Sequence, residues 1–218
     1  MLIVMLGALL GAAAGAGSLA LSGYFVRQYD AADGLTLDRG ASRAGFALLL
    51  AGLAALGGYV AWRMGNLTTA FSATVVTALL FTVALVDLQV RRIPNVLVVV
   101  LAGWSLLQSL WLDWPAVPDA LLGALVGGGV FLLLYVLSRG SMGAGDVKFV
   151  AATGVLVGYP LIASSMLLGI VIGGLAALTF LVAGKANRKD SIAYGPYLAL
   201  GAWAVWLAQM LRPGLMGV

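Results

Sequence analysis

Ala120-Leu-Leu-Gly-Ala-Leu-Val-Gly-Gly-Gly-Val-Phe-Leu-Leu-Leu-Tyr-Val-Leu-Ser-Arg-Gly-Ser-Met-Gly-Ala-Gly-Asp-Val-Lys148 sets the two textures of this chain side by side. Its first part is an unbroken apolar run of the length a membrane-spanning helix needs, roughly 20 residues. Its second part, Ser141 to Lys148, is a polar, glycine-rich loop that presents one carboxylate, Asp146, at the mouth of the next apolar segment. A second carboxylate, Asp87, stands at the matching end of another apolar run and is followed by Arg91-Arg-Ile-Pro-Asn95. Working outward from these two places, the rest of the chain reads as scaffold.

The 218 residues are 62% hydrophobic and 9% charged, with a mean hydropathy of +1.07. A soluble domain is nearer a quarter charged, so the expected class is an all-α polytopic membrane protein forming a single membrane-embedded domain over residues 1–218. The apolar runs are continuous and do not alternate with polar residues, which argues against a β-barrel. Cysteine, histidine and glutamate are all absent. Disulfides, thiolate zinc modules, histidine-ligated metals and Ser-His-Asp chemistry are therefore unavailable, and no metal site is expected. The net charge of +4 needs no nucleic-acid partner, since the charge bias of membrane loops and anionic lipid account for it.

Taken in order, eight spans are expected. The first covers Met1 to Tyr24; with no Lys or Arg ahead of its apolar core it reads as a retained helix with small-residue packing faces. A polar loop follows from Arg27 to about Arg43. Further helices are expected at Ala44–Trp62, at Thr68–Val86 with Asp87 closing the helix, at Val96–Leu112, and at Asp119–Ser138, where Gly127-Gly-Gly129 signals close helix contact. Pro94 makes 91–95 a connection. Gly158-Tyr-Pro160 divides the following run into a short helix from Val147 to Val157 and a longer one from Leu161 to Ala183. Past the basic loop Gly184–Asp190, Tyr194-Gly-Pro-Tyr197 opens a last helix ending near Leu211. With the N-terminus outside, Arg27, Arg39, Arg43, Arg91, Arg92, Arg139, Lys148, Lys185, Arg188 and Lys189 all fall on the cytoplasmic side, leaving only Arg63 and Arg212 outside. That arrangement puts Asp87 and Asp146 on the cytoplasmic face.

Each aspartate has a plain structural role open to it. Asp87 could pair with Arg91 one turn on, and Asp146 could be a helix N-cap. Together they allow more. Two carboxylates about 3 Å apart share one proton; the ionised member can take a proton from water while the protonated one polarises a peptide carbonyl. This hydrolysis needs no cysteine, histidine or metal. Lys148 reads first as a snorkelling interfacial lysine and otherwise as a group that tunes the pair.

Three blocks resemble the type IV prepilin (leader) peptidases, a family of GxGD membrane aspartyl proteases. Val86-Asp-Leu-Gln-Val-Arg-Arg-Ile-Pro-Asn-Val-Leu97 is similar to the first catalytic block, Met142-Gly-Ala-Gly-Asp-Val-Lys-Phe149 to the GxGDxK block, and Ala193-Tyr-Gly-Pro-Tyr-Leu-Ala-Leu-Gly201 to the C-terminal segment. The resemblance implies Asp87 and Asp146 as the catalytic pair. It makes Arg92, Pro94, Asn95, Gly143, Gly145, Lys148, Gly195 and Pro196 candidate substrate-binding or loop residues. It implies removal of short basic leader peptides from prepilins or pseudopilins at the cytoplasmic membrane, with no cofactor for proteolysis. Many members carry paired CxxC motifs in the first loop, which this chain lacks. Many also methylate the new N-terminus with S-adenosylmethionine, and the segment tied to that activity is matched here only loosely by Gly17-Ser18 through Arg27. The competing readings are a GxGD protease that cuts transmembrane stubs, a cation- or proton-coupled transporter, and a non-enzymatic secretion scaffold. Val86 before Asp87, where the stub-cutting group carries tyrosine, weighs against the first.

Overall fold

The computed structural model describes residues 1–33, 43–64, 66–139, 142–183 and 193–211. Among these residues the regular structure is entirely helical: α1 (Leu2–Asp33), α2 (Arg43–Met64), α3 (Leu67–Val90), α4 (Asn95–Leu112), α5 (Val117–Leu137), α6 (Ala144–Val157), α7 (Ile162–Val182) and α8 (Gly195–Leu211). The all-α expectation holds, and the eight helices fall in the expected order. By length and composition, α1, α3, α4, α5 and α7 are each sufficient to cross a membrane. With 14 residues, α6 rises only about 21 Å against the ~30 Å of a hydrocarbon core, as its early stop at Gly158 requires. Large apolar side chains face outward along α4, α5 and α7, among them Val99, Leu110, Leu125, Leu133, Leu137 and Leu175. Water-exposed surfaces do not carry such continuous apolar faces, whereas lipid covers them. The chain is a multi-pass membrane protein.

The largest boundary difference from expectation is at the end of α1. α1 continues through Arg27 to Asp33, because Val26-Arg-Gln-Tyr-Asp-Ala-Ala32 contains no helix breaker even though its hydropathy has fallen. Much of the expected polar loop is thus helix, while its remainder (34–42), the basic loop 184–190 and Arg212 lie outside the described residues.

Contacts divide the chain into two compact units, one formed by Met1–Val90 with the chain from Leu207, the other by Arg91–Trp206. In the first, α1 and α2 meet at small residues. A Cβ on Gly7 would lie 2.6 Å from Ala61 Cβ, and one on Gly57 would strike the Gly7 carbonyl. Between helices that share a lipid solvent, close backbone approach is the main source of adhesion. α3 packs on α1, where Ser18 Oγ donates to the Ala14 and Ala78 carbonyls at 2.9 and 3.0 Å. The buried hydroxyls of Thr77 and Thr82 donate to the carbonyls four residues back, so a helix with many threonines keeps its polar groups satisfied inside the unit.

In the second unit α5 and α6 form the tightest seam. Gly123 and Gly154 face each other so closely that a Cβ on either would strike the other's carbonyl oxygen. The expected contact at 127–129 is borne out in part: Gly127 approaches Val150 and Ile162, Gly128 approaches Ala151, but Gly129 faces open space. Beyond α6 the chain turns at Gly158, whose φ of 76° is open to glycine and strained for other residues. The turn is tied back by Tyr159 N–H donating to the Asp119 carbonyl at 2.9 Å. α8 lies against α7, with Leu198 Cα 3.0 Å from a Cβ built on Gly169.

Candidate active site

Asp87 lies within the last turn of α3, where a helix closing at that residue was expected. Leu88, Gln89 and Val90 offer nothing to stop the helix. It stops because Pro94 bars Ile93 from helical dihedrals and Arg91 turns left-handed, with φ 52°. Asp87 is buried, at 4% exposure, beside the fully buried Val83 and Val86 of the same helix face. A carboxylate is rarely enclosed to that degree unless it is paired or functional.

Asp146 sits in the first turn of α6. The N-cap position, which Asp146 was a candidate to fill, belongs to Gly143, with φ −77° and ψ 137°, and Asp146 is the third helical residue. Its N–H donates to the Gly143 carbonyl at 3.1 Å. Its carboxylate folds back over the cap, with Oδ2 only 3.3 Å from the place a Cβ on Gly143 would take. Glycine at 143 therefore makes room for the carboxylate. The side chain is half-buried, and the positive end of the helix dipole favours an acid in this turn.

The structure brings this second block onto part of the first. A Cβ on Gly145 would lie 3.4 Å from Ile93 Cβ, so the start of α6 rests on the α3–α4 connection. Lys148 Nζ donates to Asn95 Oδ1 at 3.1 Å. This bond joins residues that the sequence left in separate motifs, and it gives Lys148 a protein partner in place of simple snorkelling. Pro94 is the N-cap residue of α4 and is buried, while Arg92 and Asn95 are exposed. Ile93 was missed by sequence reasoning, because an isoleucine before proline signals only an extended backbone. Asp87 belongs to the first unit and Asp146 to the second.

The third block opens α8. The Tyr194 carbonyl accepts from Tyr197 N–H and Leu198 N–H at 3.1 and 3.2 Å, and Pro196 occupies a first-turn position where no N–H is needed. Tyr194 and Tyr197 meet edge to face at 6.4 Å and close over Gly173 of α7, so Gly195 and Pro196 sit at a helix–helix junction.

Residues 74–178 match the Type IV leader peptidase family. That interval contains both aspartates and the Asn95–Lys148 contact. Among similar proteins, the "Prepilin leader peptidase/N-methyltransferase" of Pseudomonas aeruginosa is 31% identical over 166 residues, covering 73% of this chain and 57% of that protein. The protein of the same name in Xanthomonas campestris pv. campestris is 34% identical over 155 residues, covering 66% and 52%. The one in Bacillus subtilis is 28% identical over 149 residues, covering 66% and 58%. The chain thus spans a little over half the length of these relatives. No solved structure matches it. With the aspartate blocks inside the matched interval and curated relatives agreeing across most of the chain, it belongs to the type IV leader peptidase family.

Proposed function

We propose that the protein is a membrane aspartyl endopeptidase that removes the short basic leader peptide from type IV prepilins or pseudopilins. Asp87 and Asp146 are the two catalytic carboxylates, and residues 1–218 work as one peptidase domain. The observation that carries this reading is the setting of Asp146: a half-buried carboxylate in the first turn of α6, folded back over Gly143 beside the exposed backbone of residues 143 and 144, where an extended substrate strand could approach. Asp87 adds an enclosed carboxylate in a chain that has no cysteine, histidine or glutamate to do the same work.

The chemistry follows from the pair. The ionised carboxylate takes a proton from water as its oxygen attacks the scissile carbonyl carbon, and the protonated carboxyl gives its proton to the carbonyl oxygen. The tetrahedral diol collapses, the C–N bond breaks, and the departing amine takes up a proton. Both aspartates lie within a turn of a helix end, and the positive-inside reading of the loops sets those ends on one face of the membrane, whereas transport sites gather near the midplane, which favours hydrolysis over ion translocation. The charge distribution supports an external N-terminus and a site on the cytoplasmic side of the inner membrane.

The relatives' names also carry N-methyltransferase, for which S-adenosylmethionine would be the methyl donor. Residues 17–27 do not fit a site for it. They form an uninterrupted stretch of α1 without an acidic side chain, and the Ser18 and Ser22 hydroxyls already donate to backbone carbonyls. No methyl-transfer step is assigned to them.

The test is cleavage by purified protein of a synthetic prepilin with its basic leader, followed by mass spectrometry. Wild type releases one leader-length fragment, and Asp87→Asn and Asp146→Asn each lose roughly 10³-fold or more in turnover while remaining folded. Full turnover by either variant would overturn the paired mechanism. Added S-adenosylmethionine leaves the mature product unmethylated if the segment has no such role.

A further inference from the structure

We infer that Asn95 is a positioning residue for this reaction: through Lys148 it fixes the rotation of α6 and so the placement of the Asp146 carboxylate. The inference rests on the peptidase reading given above and deepens it.

At 3.6 residues per turn, Gly145 and Lys148 lie on one flank of α6, while Asp146 points roughly 160° away from Lys148. Side chains two apart on a helix do not face each other, so Lys148 is poorly placed to act on the Asp146 carboxylate directly. What it does reach is Asn95 Oδ1, at 3.1 Å and 53 residues earlier in the chain. Asn95 is the first residue of α4, directly after the buried Pro94 that caps that helix. Its side chain is therefore carried by a backbone that is already fixed. The Gly145–Ile93 contact lies one turn nearer the start of α6 on the same flank, and Phe149, next to Lys148, is fully buried. Ile93 limits how near α6 can come, and the Lys148–Asn95 bond limits how far it can roll.

A carboxylate stands about 5–6 Å from its helix axis, so a roll of roughly 10° would move it by about 1 Å. A displacement of that size can lower a rate by as much as about 10²-fold. A charge-assisted bond has the strength and direction to prevent it even at an exposed position.

Two measurements test the inference. In the first, kcat and KM for a synthetic prepilin are compared for wild type, Asn95→Ala, Lys148→Met and the double variant. Each single variant should lower kcat about tenfold or more with KM nearly unchanged. The double variant should be no slower than the slower single, and Asn95→Asp, which keeps an acceptor, should recover most of the loss. Wild-type kcat in Asn95→Ala, a loss confined to KM, or a double variant as slow as the product of the singles would overturn it. The second measurement needs no activity. Because the chain has no cysteine, a lone Ala144→Cys can carry a nitroxide on the exposed first residue of α6. Label mobility should rise with Asn95→Ala and return with Asn95→Asp, and unchanged spectra would overturn the inference. A wild type that cleaves no prepilin while the label responds as expected would defeat the peptidase reading and leave the Asn95–Lys148 tether standing.

Discussion

Asp87 and Asp146 are both carboxylates within a turn of a helix end, yet the protein holds them by opposite means. Asp87 lies in α3, where 61% of the spanning segment is buried, against 22% for α5. It is fixed by enclosure. Asp146 is half-exposed on a helix of 14 residues and is preceded by glycines. It is fixed by what grips its helix: the Gly123–Gly154 seam farther along, and Ile93 and Asn95 at the start. Enclosure keeps a group still at the expense of access. A gripped helix end leaves a carboxylate within reach of a long substrate, provided the grips hold.

The largest effect should come from releasing the deeper grip. Gly154→Leu sets a branched side chain against the Gly123 carbonyl and Ala124 backbone, which cannot yield without parting α5 from α6. A loss of about 3 kcal/mol or more is expected, read as a collapse of the thermal midpoint in detergent. Gly129→Ala, on the same helix as Gly123 but facing open space, should keep stability or raise it by up to about 1 kcal/mol, read as an unchanged or higher midpoint. Equal behaviour of the two variants would mean that the seam does not fix α6.

Next comes the contrast between the aspartates themselves. Asp87→Glu adds a methylene to a closed site and should destabilise by about 1–3 kcal/mol. Asp146→Glu extends into partly open space and should leave stability within about 0.5 kcal/mol of wild type. Both should cleave poorly, since both carboxylates move. If Asp146→Glu proved the less stable of the two, the distinction between enclosure and grip would fail.

Much of this arrangement was legible in the sequence because lipid imposes a simple code. Apolar runs of sufficient length, broken by Pro94 and by Gly158-Tyr-Pro160, predict the order of helices, and the glycine-flanked Asp146 stands out against them. Helix ends were less legible. Asp87 looked like a terminus because it is charged, but a charge does not break a helix, and α3 runs on to Val90. Asp146 looked like an N-cap because aspartate favours that position, but Gly143 already supplies the extended backbone. Pairwise facts were the least legible. Nothing in the spacing says which of Gly127, Gly128 and Gly129 faces a neighbour, or that Lys148 reaches Asn95, since both depend on the rotation of one helix against another.

A smaller effect probes the cap beneath Asp146. Gly143→Ala places a methyl 3.3 Å from Asp146 Oδ2, so the carboxylate must shift by a few tenths of an ångström. Residue 143 has ordinary extended dihedrals, so alanine brings no backbone strain. Turnover should fall about fivefold to tenfold with an unchanged thermal midpoint. Unaltered turnover would mean that the carboxylate tolerates displacement, and the grip on α6 would then matter less than the Asn95 variants are expected to show.

The smallest effect concerns the left-handed residues that follow α3 and α5. α3 is followed by Arg91 with φ 52°, and α5 is followed by Arg139 with φ 50°. A side chain in the left-handed region costs about 1–2 kcal/mol, and glycine is the usual occupant after a helix end. Arg139→Gly should therefore raise stability by up to about 1 kcal/mol, read as a higher thermal midpoint, and leave kcat unchanged, because Arg139 has no place in the proposed chemistry. Arg91→Gly relieves the same strain but stands four residues from Asn95, so a looser connection would let α4 and α6 move together. A gain in stability accompanied by a fall in kcat is the expected result there. If Arg91→Gly gained stability without losing rate, the connection between α3 and α4 would be only a tether, and the hold on Asp146 would begin at Pro94.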